Sequence, residues 1–306
     1  MTRVSIGLVN NMPDVALEAT ETQFSTLLAA AAGSGTLEVR LTSLPEVPRG
    51  PAAAARIAAT YWPLTRMFEN PPDALIVTGA EPLAADLSDE PYWTRLTELL
   101  EWASTYTASS IWSCLAAHAA VQYHSGIRRR RLSAKCHGVF EHALSQHPLM
   151  EGMEVPLRTP HSRWNDLPEP ALHAAGYETL SRGAQTGANI FVKRRNGSLL
   201  VFLQGHPEYA CDTLLREYRR DVGRFVQGQQ QHYPHPPQGY FSPAALELIE
   251  SFQQRATSER RAEVMLHFPS AALQSGLQDT WRTATTQFYR NWLRQVAAGR
   301  RPNTES

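Results

Sequence analysis

The chain has 306 residues, 42% hydrophobic and 19% charged, enough apolar material for a sizeable core and no sign of wholesale disorder. Lys plus Arg (29) balances Asp plus Glu (29), so no global field recommends nucleic acid or a membrane surface as partner.

Val4 to Asn10 reads as a buried first strand, broken by Asn11-Met12-Pro13-Asp14. Leu17 to Ala32 has Phe24, Leu27 and Leu28 at helical spacing, and Leu37 to Leu41 reads as a second strand. Pro45 to Ala54 is rich in proline and alanine and reads as a loop, with a short helix expected over Tyr61 to Phe68. Ala74 to Thr78 is a third strand ending at Gly79-Ala80-Glu81-Pro82, and Tyr92 to Tyr106 is a helix with Leu96, Leu99, Leu100 and Ala103 inward. A short β-prone run, Ser109 to Ser113, then meets a helix-favouring run just after Cys114. The only basic cluster, Arg128 to Arg131, reads as a solvated loop, with coenzyme phosphates as its alternative use.

From Gly138 to Phe202 the pattern favours β, with Asn196-Gly197 as a hairpin turn between two apolar runs. Thr213 to Val226, Leu246 to Val264 and Trp281 to Val296 read as helices, separated first by the Gln/His/Pro-rich stretch Gly228 to Gly239. Strands alternating with helices predict an α/β fold with a mainly parallel sheet covered on both faces and a C-terminal helical extension. Sites in such sheets lie at the carboxyl ends of strands, where Gly79-Ala80, Cys114 and Gly205-His206 all fall.

The three cysteines, Cys114, Cys136 and Cys211, are an odd number without metal-ligand spacing. With no signal-peptide pattern and no apolar segment of membrane-spanning length, they point to a reduced, cytoplasmic enzyme with no metal. Cys114 at a strand-to-helix corner is placed as a nucleophile, because the helix N-terminus favours a thiolate and offers N–H groups to an oxyanion. Alone, it would read as a small buried hydrophobe. The second feature is Gly205-His206-Pro207-Glu208. A histidine leaving an apolar strand can take a thiol or hydroxyl proton, and a carboxylate two positions on can orient its ring. With eleven histidines in the chain, His206 alone would read as a loop residue; the upstream elbow makes Cys114, His206 and Glu208 a nucleophile, base and orienter set.

This pairing resembles the class I glutamine-amidotransferase-like (flavodoxin-like) fold. Further segments resemble the homoserine O-acyltransferases of methionine biosynthesis, of the homoserine O-succinyltransferase type. They are Asn11-Met12-Pro13 with Glu21-Thr22-Gln23-Phe24, Ile76-Val77-Thr78-Gly79-Ala80 with Tyr92-Trp93, Gly138-Val139-Phe140-Glu141-His142, Pro160-His161-Ser162-Arg163-Trp164 and Gly205-His206-Pro207-Glu208-Tyr209. Glu217 to Asp221, Tyr233-Pro234-His235 and Asn291-Trp292-Leu293 fit as well. The resemblance implies a ping-pong transfer in which acyl-CoA, with succinyl-CoA ahead of acetyl-CoA, acylates Cys114. His206 then activates the hydroxyl of L-homoserine, Glu208 stands beside it, and no cofactor is bound permanently. It also implies that Arg220 and Glu217 bind the carboxylate and ammonium of homoserine, that Lys135 and Ser162 contact substrate, and that the amides of Leu115, Ala80 and Glu81 form the oxyanion hole. Without the resemblance, Glu217 and Arg220 would read as a surface i,i+3 ion pair. It implies a homodimer too, and one acyltransferase domain over 1–306.

Three departures from the family pattern stand out. A lysine expected after Met12-Pro13 is missing, and Asp14 stands there. The loop position that separates acyl donors, glycine in succinyl-type and glutamate in acetyl-type members, falls on Leu83, two residues from Glu81. Residues 242–279 look like a loop and helical insertion, and the family's N-terminal extension is lacking. The competing readings are a glutamine amidotransferase module, disfavoured by Trp112-Ser113-Cys114-Leu115-Ala116 at the elbow, a degenerate regulatory member, and an acyltransferase for another hydroxylated amino acid.

Overall fold

The computed structural model describes residues 3–299. Its first half alternates strands and helices: β1 (Val4–Val9), α1 (Leu17–Ala32), β2 (Leu37–Thr42), α2 (Pro51–Thr60), α3 (Leu64–Glu69), β3 (Ala74–Val77), α4 (Trp93–Tyr106), β4 (Ser109–Ser113) and α5 (Leu115–Ser125). The second half begins with β5 (Arg130–Leu144), β6 (Leu157–Asp166), α6 (Glu169–Ala174), β7 (Glu178–Gly183), β8 (Gly187–Arg195) and β9 (Ser198–Leu203). It closes with α7 (Thr213–Val226), α8 (Pro243–Glu259), α9 (Ser270–Ser275) and α10 (Arg282–Ala298).

All nine strands form one sheet in the order β2-β1-β3-β4-β9-β8-β7-β5-β6. The five from β2 to β9 run parallel, whereas β8, β7, β5 and β6 are antiparallel to their neighbours. The parallel strands are near-continuous apolar runs because both their faces are covered. On one face Phe24 and Leu27 of α1 join Phe288 and Trp292 of α10 against Ile6, Leu8, Ile111 and Val201. On the other, Leu99 and Leu100 of α4 and Val121 of α5 pack on Leu75, Val77, Trp112 and Phe202. The predicted Asn196-Gly197 turn joins β8 to β9 with both residues at positive φ, +48° and +83°. Such a turn matches the right-handed twist of the flanking strands.

Two expectations need correction. Pro45 to Ala54 is not all loop, since α2 begins at Pro51, where proline at the first helical turn leads into an alanine run. The Arg128 to Arg131 segment is not simply solvated: Arg130 and Arg131 open β5, Arg130 pairs with Asp166 at 3.0 Å, and Arg131 stacks over Trp164. Residues 242–279 carry α8 and α9, and Ile249, Phe252, Phe268 and Leu273 share a core with Tyr218, Val222 and Phe225 of α7. No helix among the described residues is long and apolar enough to cross a membrane.

Candidate active site

Cys114 stands between β4 and α5 at φ +52°, a left-handed conformation that a non-glycine residue adopts only where its surroundings impose it. Its amide donates to the Leu203 carbonyl at 2.7 Å, so the corner is pinned to β9. The amide of Leu115, first residue of α5, is among the helix's leading N–H groups that have no intrahelical acceptor. Gly79 lies against that amide so closely that a Cβ there would sit 2.6 Å from the Leu115 Cβ. The Gly79-Ala80-Glu81 loop and the helix N-terminus thereby converge above β3 and β4.

β9 lies beside β4 in parallel, Ser113 opposite Leu203, so the chain leaving β9 reaches the same corner as Cys114. His206 is buried there, hydrogen-bonded to the Cys114 side chain. Its Nδ1 lies 2.9 Å from Oε1 of Glu208, which is also buried. Burial alone would depress the His206 pKa, but the charges of Cys114 and Glu208, and the hydrogen bonds to both, hold it well above its usual value. Tyr209 stacks on the His206 ring at 4.3 Å and 15°. The turn is held from beneath: the His206 amide donates to Pro160 O at 2.7 Å and the Gly205 amide to Asn189 Oδ1 at 3.2 Å. A Cβ at Gly205 would come within 2.7 Å of both Asn189 and Thr159.

The Tyr209 hydroxyl donates to Glu217 Oε1 at 2.9 Å, linking the histidine to a second cluster. Glu217 and Arg220 do not pair with one another there, which corrects the surface i,i+3 alternative. Arg220 binds Asp221 Oδ1 at 3.0 Å, and Lys135 binds Asp221 Oδ2 at 2.7 Å. The other Glu217 oxygen, Oε2, is buried without a hydrogen-bond partner, 3.9 Å from His137 Nδ1. Burial first, then Lys135, depress His137 to a pKa of about 4, so it stays neutral. Ser162 of β6 lies directly opposite His137 in the β5–β6 register. Lys135, Ser162, Glu217 and Arg220, far apart in sequence, thus gather on β5, β6 and α7 beside His206. Asp221 and His137 join them unforeseen, and only Asp221's place in a charged helical run could have signalled it.

On the opposite side, Leu83 is 69% exposed, and neighbouring Glu81 is exposed too. The amides of Leu83 and Ala84 both donate to Glu90 Oε1, at 2.7 and 2.8 Å, while Glu90 Oε2 and the Tyr92 hydroxyl are buried without partners. Arg128 and Gln122 both bind Asp86 of this loop. That anchors the segment that carries half-buried Arg129, whose pKa burial lowers against the raising pull of nearby groups that include Glu90. The first strand's exit also has a cation after all. Arg49 donates to the carbonyls of Met12 and Asn10 and pairs with Asp14 at 3.3 Å. Neither Arg129 nor Arg49 could be assigned by spacing, since each reaches the site from another element.

A thiol at a strained elbow, a buried histidine–carboxylate pair and converging amides define an acyl-transfer type of enzyme centre at the carboxyl ends of the parallel strands. The chain belongs to the homoserine O-succinyltransferase family, whose model matches residues 1–302. It is 43% identical to a homoserine O-succinyltransferase of Rhodopseudomonas palustris over 296 residues, 96% of this chain and 89% of that one. It is 44% identical to one of Bradyrhizobium japonicum over 299 residues, 97% of this chain and 91% of that one. Among solved structures, that of SMU.1228c covers 97% of this chain and 100% of its own at 12% identity with a TM-score of 0.50, a likeness of fold alone.

Proposed function

We propose that the protein transfers a succinyl group from succinyl-CoA to the hydroxyl of L-homoserine through a thioester on Cys114, as one cytoplasmic acyltransferase domain spanning 1–306 and working as a homodimer. The observation that carries this is the buried Glu208–His206 pair hydrogen-bonded to Cys114 at its elbow. The Cys114 sulfur attacks the donor carbonyl, whose oxygen is met by the amides of Leu115, Ala80 and Glu81. The carbon–sulfur bond to CoA breaks, and the CoA sulfur leaves with the proton held by His206. In the second half, His206 takes the proton of the homoserine hydroxyl, the alkoxide oxygen attacks the thioester, and the Cys114 sulfur leaves. A sulfur both attacks and departs well, which suits a two-step transfer.

The acceptor reading rests on Glu217 Oε2, a buried oxygen without a partner that is suited to an ammonium. Lys135 and Arg220 share one carboxylate, Asp221, and so leave a net positive charge for the acceptor's own carboxylate. Ser162 faces the same space from β6. For the donor, Leu83 supplies no acidic group, and Arg129 supplies a cation toward the free end of a succinyl chain. The test is intact-mass spectrometry with succinyl-CoA or acetyl-CoA, with and without homoserine, beside C114A. A succinyl adduct that requires Cys114 and that homoserine discharges is expected. An adduct that homoserine leaves in place would overturn the acceptor, and modification only by a glutamine-analogue electrophile would favour an amidotransferase.

A further inference from the structure

We infer that the cavity beside the exit of β2 receives the nucleotide end of the CoA donor; this rests on the acyl-CoA chemistry proposed above. The cavity measures about 780 Å³ and is formed by residues 43–49, the inner side of α2, residues 61–65, Phe68 and Arg95. That size falls within the range of small-ligand sites. Its walls are mostly apolar and aromatic, with Leu44, Val47, Ile57, Trp62 and Phe68 available to a purine face.

Two polar atoms at this cavity are buried without hydrogen-bond partners: Arg49 Nε, a donor, and Glu46 Oε2, an acceptor. An adenine edge offers the complementary pair, a ring nitrogen that accepts and an amine that donates. Arg95 also lines the cavity, and the guanidinium of Arg66 lies 3.9 Å over the Trp62 ring. Arg66 is exposed and has no carboxylate partner among the described residues, so a cation is available for phosphate at the rim.

The position agrees with the donor's shape. Residues 43–49 follow the carboxyl end of β2, on the same sheet edge as Cys114 after β4. The two are three strand spacings apart, roughly 14 Å, a distance the pantetheine arm of CoA can span. Hydrogen bonds through Asn11 tie the wall of the cavity to the exit of β3, next to the Cys114 corner. Asn11, almost fully buried, accepts from the Leu44 amide at 3.0 Å through Oδ1 and donates to Thr78 O at 3.2 Å through Nδ2. Thr78 precedes Gly79, which lies against Leu115.

The experiment compares succinyl-CoA with succinyl-pantetheine, which keeps the arm and lacks the nucleotide, in the wild type and in A58W. Ala58 is exposed at the mouth of the cavity on α2, where a bulky ring narrows the opening without disturbing the core. In the wild type succinyl-CoA should have a KM at least tenfold below that of succinyl-pantetheine, and A58W should remove most of that advantage. An advantage that survives A58W unchanged, or that is absent from the wild type, overturns the assignment. If neither donor acylates Cys114, the proposed function itself has failed. Independently of any variant, desulfo-CoA should slow hydrogen exchange across residues 43–65 of the wild type, and protection confined to other segments overturns the inference.

Discussion

The proton on His206 is the residue-scale feature with most consequence. Its pKa is raised by two partners, Cys114 and Glu208, against its own burial. Acylation would remove Cys114 as a partner for that proton, so the same imidazole should lose affinity for it when it must become a base for the acceptor. NMR titration of labelled histidine should therefore show His206 deprotonating at lower pH in C114A than in the wild type; an unchanged midpoint would refute the coupling. E208Q, which keeps the shape and loses the charge, should lower kcat by about 10²- to 10⁴-fold. R129Q should raise KM for succinyl-CoA about tenfold or more while leaving acetyl-CoA little changed, as steady-state kinetics with the two donors will show. Cys114, His206 and Glu208 were legible in the sequence because each declares itself locally, at the end of an apolar run. Arg129, Glu90 and Asp221 were not, because a long charged side chain reveals nothing of its target until the elements pack.

At the scale of elements, the strands and helices most readily foreseen were those with strong apolar patterns on the parallel side. β5 was only partly foreseen, since its first seven residues are mostly exposed and show no alternation, and its pairing with β6 shifts register between Arg131 and Cys136. The turn after β9 is crowded enough that G205A should be costly. Its new methyl meets Asn189, Thr159 and His161, and overpacking of this kind destabilises by about 1–3 kcal/mol. Loss of Cys114 acylation at a temperature where circular dichroism still reports a fold would show that the displacement reaches His206. α10 closes the sheet from beneath. Trp292 is fully buried, and its Nε1 donates to Ser109 Oγ at 2.9 Å, close to the start of the nucleophile strand. W292A should cost about 3–5 kcal/mol in urea denaturation.

For the whole molecule, a group of buried histidines governs the response to acid. His118, His124, His137 and His142 have pKa values depressed to about 4, and His161 lies well below its usual value, in each case chiefly by burial. On unfolding each regains an ordinary value near 6.5 and takes up a proton. Stability should therefore fall steadily as pH drops from about 6.5 to about 4. His206 has the opposite sign: its raised pKa adds stability at low pH, lost as pH rises through the folded value. Urea midpoints measured across that range should slope downward toward acid in the wild type and less steeply in H161Q; a flat profile would contradict the assignment of these histidines as neutral.

The strand order has a further consequence during synthesis. β4 leaves the ribosome with β3 on one side, but its other neighbour, β9, begins 85 residues after β4 ends, from Ser113 to Ser198. Until then the nascent chain carries an open apolar strand edge, and the whole antiparallel half must be made before it closes. The pairing that brings His206 to Cys114 is therefore also the step that seals an open apolar edge of the half-made protein. A stalled chain with residues only up to 195 outside the ribosome should depend heavily on chaperones, and one with β9 and residue 210 also outside much less.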